Sequence, residues 1–196
     1  LAEEHRIDAD IVGPVPDSGI MAAVGYGEVS GIKQEPIFTR AHFIGRTFID
    51  STPTIRDLGV RVKLNPIRSA VQDKRVILVD DSIVRGTTSR KIVRMVREAG
   101  AREVHLLISS PPTMWSCHYG INTPTRQELI ASSNDVEAIR RFIDADSLGY
   151  LSLEGLTSAV RMHEGKQTRG FCNACFSGKY PVPVTLQARV LPHRPR

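Results

Sequence analysis

Two adjacent carboxylates, Asp80 and Asp81, end the apolar run Val76-Ile-Leu-Val79 and are followed by Ser82-Ile-Val-Arg-Gly-Thr-Thr88. Such a pair accepts hydrogen bonds from the vicinal hydroxyls of a ribose, directly or through the hydration shell of a magnesium ion, and the cation relieves the repulsion between them. Gly86 permits a tight turn. The hydroxyls of Thr87 and Thr88, with the backbone N–H groups that open the next helix, make an anion site where the helix dipole favours a 5′-phosphate. The competing reading is an acidic turn whose Asp-Ser merely caps a helix. A second segment, Val12-Gly-Pro-Val-Pro-Asp-Ser-Gly19, ends a strand in a proline-rich turn, a setting in which backbone N–H groups bind pyrophosphate. Asp17 or Ser18 is equally readable there as an ordinary N-cap.

These residues need elements to hold them. Short apolar runs over 9–15, 75–79 and 103–108 lack strict alternation, as expected of parallel strands buried on both faces. Ile92, Val93, Met95 and Val96 fall at helical spacing within 88–99, with Gly100 at the C-cap position. Strand, loop, helix and strand in succession form a βαβ unit, which implies a right-handed crossover and a doubly wound, mostly parallel α/β sheet that binds ligands at the carboxyl ends of its strands. Residues 44–65 are polar and aperiodic, as mobile lids often are, with one short helical stretch over 54–58. Shorter helices are expected over 126–131, 136–143 and 154–163, and a disordered tail over 183–196.

At 196 residues and 41% hydrophobic content, the chain can bury one sizeable core. No apolar run is long enough to span a bilayer and Leu1-Ala-Glu-Glu-His-Arg has no signal-peptide character, so a soluble, cytoplasmic location without membrane contact is expected. The opening segment also reads as the end of a helix whose earlier turns are missing, as in a fragment. A net charge of +5 does not imply nucleic acid, because the cations are dispersed among 21 acidic residues. Three cysteines argue against a disulfide framework. Cys172-Asn-Ala-Cys175, with Cys117 far upstream, leaves a redox pair, a zinc half-site, iron–sulfur ligands and unmetallated thiols all open.

The apolar strand leading into Asp-Asp-x-x-x-x-Gly-Thr-Thr resembles the phosphoribosyl-pyrophosphate (PRPP) motif of type I phosphoribosyltransferases. A longer series narrows the resemblance: Pro14-Val-Pro-Asp-Ser-Gly19, Gly45-Arg-Thr-Phe-Ile49, Lys63-Leu-Asn-Pro66, Val79-Asp-Asp-Ser-Ile-Val-Arg-Gly-Thr-Thr-Ser89, Ile108-Ser-Ser-Pro-Pro112, Tyr119-Gly-Ile121 and Ala145-Asp-Ser-Leu148. In this order they resemble the transferase half of the amidophosphoribosyltransferase family. The resemblance implies a type I phosphoribosyltransferase domain over 1–165 and a cysteine-bearing segment over 166–182. It implies transfer of ammonia from glutamine to C1 of PRPP, with pyrophosphate release, as the first step of purine synthesis. The N-terminal glutaminase half has no counterpart in this sequence, and the family is usually a homo-oligomer.

By the same resemblance Asp17, Ser18, Gly19, Asp80, Asp81, Ser82, Arg85, Gly86, Thr87 and Thr88 bind PRPP, and Ser18, Asp80 and Asp81 form the Mg2+ site. Arg46, Thr47 and Lys63 lie in the segment that closes over PRPP in relatives, where Arg46 and Lys63 would act catalytically on the departing pyrophosphate. Relatives carry Lys-Asn-Arg-Tyr or a near variant where this chain has Arg40-Ala-His-Phe43, which bears on nucleotide feedback and flap closure. One branch holds a [4Fe–4S] cluster on four cysteines; Cys117, Cys172 and Cys175 match three of them, and His118 and His163 are the substitute ligands considered. The alternatives are a nucleobase or orotate phosphoribosyltransferase, and a non-catalytic PRPP-sensing regulator.

Overall fold

The computed structural model describes residues 1–40, 64–164 and 170–184, with only the backbone of 162–164. Its centre is a four-stranded parallel sheet in the order β1 (Ile11–Pro14), β4 (Arg75–Asp80), β5 (Glu103–Ile108), β6 (Ser147–Tyr150). The register sets Pro14 beside Val79 and Asp80 beside Ile108. On the outer side of β1 the chain at 33–35 runs alongside, bonded through Val12 N–H to the Lys33 carbonyl at 3.0 Å and Glu35 N–H to the Val12 carbonyl at 2.9 Å. From β1 the chain therefore turns outward through helix α1 (Ile20–Ser30), whereas from β4 it turns the other way through helix α3 (Thr87–Glu98). The gap between the ends of β1 and β4 is the topological switch point, where doubly wound sheets bind ligands.

Alternation along β4 divides the core between two faces. Val76 and Leu78 pack with Ile92, Val93 and Val96 of α3, while Ile77 and Val79 pack with Ala23 and Tyr26 of α1. All nine are almost fully buried, so both sheet faces are covered by helices, as the unalternated apolar runs require. Strand β2 (Phe38–Arg40) pairs antiparallel with β3 (Leu64–Pro66), and a single helical turn, α2 (Arg68–Val71), leads into β4.

Most expected elements are present with shifted ends. The first strand is Ile11–Pro14 rather than 9–15, and the central helix is Thr87–Glu98, followed by Gly100 at φ 103°. Helix α4 (Val136–Ile143) coincides with its expected span, and α5 (Leu153–Glu164) is longer by one residue at each end. The helix expected over 126–131 is instead two 3-10 turns, Arg126–Glu128 and Ile130–Ser132, because the chain bends at Leu129, whose backbone is extended. Three strand segments escaped the sequence reading, among them Phe38–Arg40. Leu64–Pro66 is too short to show a period, and β6 contains Gly149, kept small because a Cβ there would stand 2.7 Å from Leu107 Cδ2. At the start of the chain residues 2–4 form a single turn rather than a helix, closed by His5 N–H donating to the Leu1 carbonyl at 2.9 Å. The expected 54–58 helix lies outside the described residues, as does the tail beyond 184.

Candidate active site at the switch point

The turn after β1 is welded to the end of β4. Val15 N–H donates to the Val79 carbonyl at 2.8 Å, and Gly19 N–H closes back onto the Val15 carbonyl at 3.1 Å. The turn contains a cis peptide between Pro16 and Asp17. It leaves Asp17 and Ser18 exposed and Gly19 buried. Neither polar residue caps α1: the N-cap is Gly19, with no side-chain bond. The N-cap reading of Asp17 and Ser18 is thus corrected, because the close approach of β4 pushes the helix start past both. Ser18 instead stands near the Asp80 carboxylate, where its hydroxyl favours the ionised form. Asp17 pairs with Arg40, at the end of β2. In the sequence Arg40 stands out only as part of a segment that departs from the relatives' pattern.

Asp80 is buried at the tip of β4, and burial with the neighbouring charge of Asp81 pushes its carboxyl up to about 7, against the lowering effect of Ser18. Asp81 is exposed beside it; its N–H donates to Asp80 Oδ1 at 2.9 Å, and Ser82 N–H donates to Asp81 Oδ1 at 2.8 Å. The helix-cap reading of this acidic turn fails as well. The N-cap of α3 is Gly86 at φ 75°, in the left-handed region that glycine tolerates, and no side chain caps the helix. The first N–H groups of α3 therefore open beside the exposed Thr87 and Thr88, the arrangement an anion needs. Ser18, Asp80 and Asp81 are all-oxygen donors around a buried carboxyl that a cation would deprotonate, which suits Mg2+, an ion bound by one or two carboxylates plus substrate phosphates. Among the described residues no three His, Cys, Asp or Glu converge on a single metal ion.

Arg85 does not face this site alone. Its Nη2 and Nε donate to Glu128 Oε1 at 2.7 and 3.1 Å. Glu128 went unnoticed in the sequence, although Thr125-Arg-Gln-Glu128 is a legible capping-box pattern. Arg46, Thr47 and Lys63 lie outside the described residues.

The cysteines gather away from the switch point. The Cys175 carbonyl, in the short helix α6 (Ala174–Ser177), accepts the N–H groups of Met114 and Trp115, each at 3.0 Å, which clips the Cys117 loop to the C-terminal segment. Tyr119 N–H donates to Cys117 Sγ at 3.4 Å, and this bond with those from Ile121 and Gly120 draws the Cys117 thiol down. Burial pushes the Cys175 thiol up, and the charges of Cys117 and Cys172 add to it. All three sulfurs are free, and Cys175 lies within electrostatic reach of the other two. A cluster spreads its thiolates over several iron corners, unlike a single ion. The His118 ring packs on Tyr180 at 5.0 Å, and the His163 side chain is outside the described residues.

A parallel sheet with its switch point between the turn after β1 and the Asp80-Asp81 loop after β4 defines an α/β domain of the type I phosphoribosyltransferase fold. Over nearly its whole length the chain matches amidophosphoribosyltransferases at about 50% identity. The amidophosphoribosyltransferase of Bacillus subtilis is 53% identical over 193 residues, which is 98% of this chain and 40% of that protein. A solved structure described as the allosteric regulatory enzyme of purine biosynthesis superposes with a TM-score of 0.83 at 52% identity, covering 98% of this chain and 41% of the other. A second, the glutamine PRPP amidotransferase of B. subtilis complexed with ADP and GMP, gives 0.82 at 52% identity over 94% of this chain and 41% of the other. The chain thus spans about two fifths of the length of these relatives. No family profile matches it.

Proposed function

We propose that this chain carries the phosphoribosyl-transfer site of an amidophosphoribosyltransferase, an enzyme that uses PRPP and glutamine-derived ammonia to make 5-phosphoribosylamine and pyrophosphate at the start of purine synthesis. The observation that carries the reading is the bond from Val15 N–H to the Val79 carbonyl at 2.8 Å, which sets a pyrophosphate turn against a ribose-phosphate loop at the switch point. Asp80 and Asp81 hold the ribose hydroxyls, the N–H groups opening α3 with Thr87 and Thr88 hold the 5′-phosphate, and the turn at Asp17, Ser18 and Gly19 receives the pyrophosphate. Mg2+ held by Ser18, Asp80 and Asp81 would supply charge neutralisation of the leaving pyrophosphate. Arg46 and Lys63 are proposed to add positive charge there, and closure of their segment to exclude water.

The nitrogen reaches C1 as ammonia, so a glutaminase part belongs to the proposal, as do a homo-oligomer and a cytoplasmic location. Among the described residues no helix is long and apolar enough to cross a membrane. Cys117, Cys172 and Cys175 are proposed as three ligands of a structural [4Fe–4S] cluster that pins the C-terminal segment to the domain. A nucleobase or orotate phosphoribosyltransferase is less well supported, since the similarity runs through the cysteine segment as well as the phosphate loop. The test is anaerobic purification of the whole protein, followed by assays of PRPP-dependent pyrophosphate release with ammonia and of iron content. Release with a nucleobase but not with ammonia would overturn the assignment.

A further inference from the structure

The 3-10 turn Arg126–Glu128 supports the phosphate loop at several points that the proposed reaction leaves unexplained. Glu128 divides its carboxylate: Oε1 accepts Nε and Nη2 of Arg85 at 3.1 and 2.7 Å, and Oε2 accepts the N–H and hydroxyl of Thr125 at 3.1 and 2.9 Å. Two residues on, Ile130 N–H donates to the Val84 carbonyl at 2.9 Å. The Ile130 side chain also closes beneath Gly86, where a Cβ would stand 2.9 Å from its Cδ1. The turn is itself anchored, since the Arg126 guanidinium lies 3.6 Å from the centroid of Trp115. An isolated exposed ion pair contributes little. Here four donors meet on one carboxylate whose own backbone segment is bonded to the same loop, so the pair belongs to a network.

We propose that Glu128 is a positioning residue for the 5′-phosphate: by holding the Arg85 guanidinium it fixes the loop leading into Gly86, so that Thr87, Thr88 and the first N–H groups of α3 face the incoming phosphate. The inference rests on the PRPP reading above. Arg85 then acts as a strut rather than a phosphate ligand, which revises the role that the resemblance gave it. The benefit is preorganisation, because a loop already in its bound shape loses less freedom when the ligand arrives.

The test uses the protein as the cell makes it, with Glu128→Ala, Glu128→Gln, Arg85→Ala and the double alanine variant, assayed by calorimetric PRPP binding and steady-state kinetics. Glu128→Ala is expected to raise KM for PRPP about tenfold with a smaller fall in kcat. Glu128→Gln, which keeps acceptor oxygen but not charge, is expected to give a smaller rise. The double variant is expected to be no worse than the worse single one, since both remove one interaction. Additive losses, or Arg85→Ala far worse than Glu128→Ala, would make Arg85 a phosphate ligand and overturn the proposal. So would an unchanged KM in a folded Glu128→Ala protein. Should that variant fail to fold, Glu128→Gln carries the same decision. A wild-type protein that binds no PRPP overturns the functional reading and this proposal together, and is told apart because the loss precedes any substitution.

Discussion

The carbonyl oxygen of Val79 occupies the space where a side chain at Gly19 would begin: a Cβ there would stand 2.1 Å from it. Neither atom can give way, because one belongs to the central strand and the other to a turn bonded to that strand through Val15. Gly19→Ala is therefore expected to cost about 3 kcal/mol or more and to abolish PRPP binding. Gly86→Ala meets side chains rather than backbone, Ile130 Cδ1 at 2.9 Å and the Phe142 ring at 3.1 Å, so its cost is about 1–2 kcal/mol, chiefly from the left-handed backbone at φ 75°. Urea unfolding midpoints of the two variants check the ranking; a Gly19→Ala protein as stable as wild type would refute the steric argument.

Asp80 is a carboxyl that the fold prefers protonated. Its folded value of about 7 lies above the ordinary 3.8, chiefly through burial and then through the charge of Asp81. A raised folded value means that the group's contribution to stability is complete below pH 4 and is lost progressively as the pH rises to 7. Asp80→Asn, which never ionises, is expected to match wild type near pH 4 and to exceed it at pH 8 by about 2 kcal/mol in the absence of divalent cation. Transfer activity is expected to vanish in the same variant. Thermal scans at the two pH values, with and without Mg2+, check this; an asparagine variant less stable than wild type at pH 8 would reverse the sign.

Much of the site was legible because its chemistry is local in sequence. Asp80 to Thr88 contain the carboxylates, the turn glycine and the helix start within nine residues, so one stretch implies the whole phosphate loop. What stayed hidden joins distant segments. Ser18 meets Asp80, Asp17 meets Arg40, and Arg85 meets Glu128 across 43 positions, none of which a periodicity can reveal. The failed N-cap readings share that cause. Asp17 and Ser18 have good capping chemistry, but close packing of Gly19 on Val79 sets where α1 starts. Strand β6 was missed because a four-residue edge strand with an internal glycine carries too little apolar pattern to stand out.

At the opposite end of β4 from the site, Asp10 Oδ2 accepts the backbone N–H of Arg75 at 2.7 Å and Oδ1 accepts its Nη2 at 3.0 Å, while Asp8 pairs with the same guanidinium. These bonds, those from Arg75 foremost, hold the Asp10 carboxyl at about 2. With the folded value depressed, the stabilisation is present above pH 4 and is lost as the pH falls from there through 2. Asp10→Asn is expected to be less stable than wild type at neutral pH, with the gap closing by pH 2. Its KM for PRPP is expected to stay at the wild-type value, since the substitution lies at the far end of the sheet. Acid titration followed by circular dichroism reads the first outcome; a gap that persists unchanged at pH 2 would show that the carboxylate is not its source.

The cysteines separate a structural cluster from chance proximity. Cys175 holds the Cys117 loop through its carbonyl, and Trp115 of that loop packs on Gly178, where a Cβ would stand 2.8 Å from the indole. The backbone clip survives a Cys175→Ser change, but sulfur ligation does not. If the three thiolates bind a cluster, each Cys→Ser variant is expected to lose iron and visible absorption, and the segment around 170–184 to become more sensitive to proteolysis. If the thiols bind no metal, Cys172→Ser, at the exposed position, is expected to change neither. Iron content, absorption and limited proteolysis on anaerobically purified variants decide it. Undiminished iron in both Cys172→Ser and Cys175→Ser would remove the cluster and leave the backbone clip, with the bonds from Tyr180 to the Ser116 carbonyl at 2.6 Å and from Tyr119 to the Val182 carbonyl at 2.8 Å, to tether the segment.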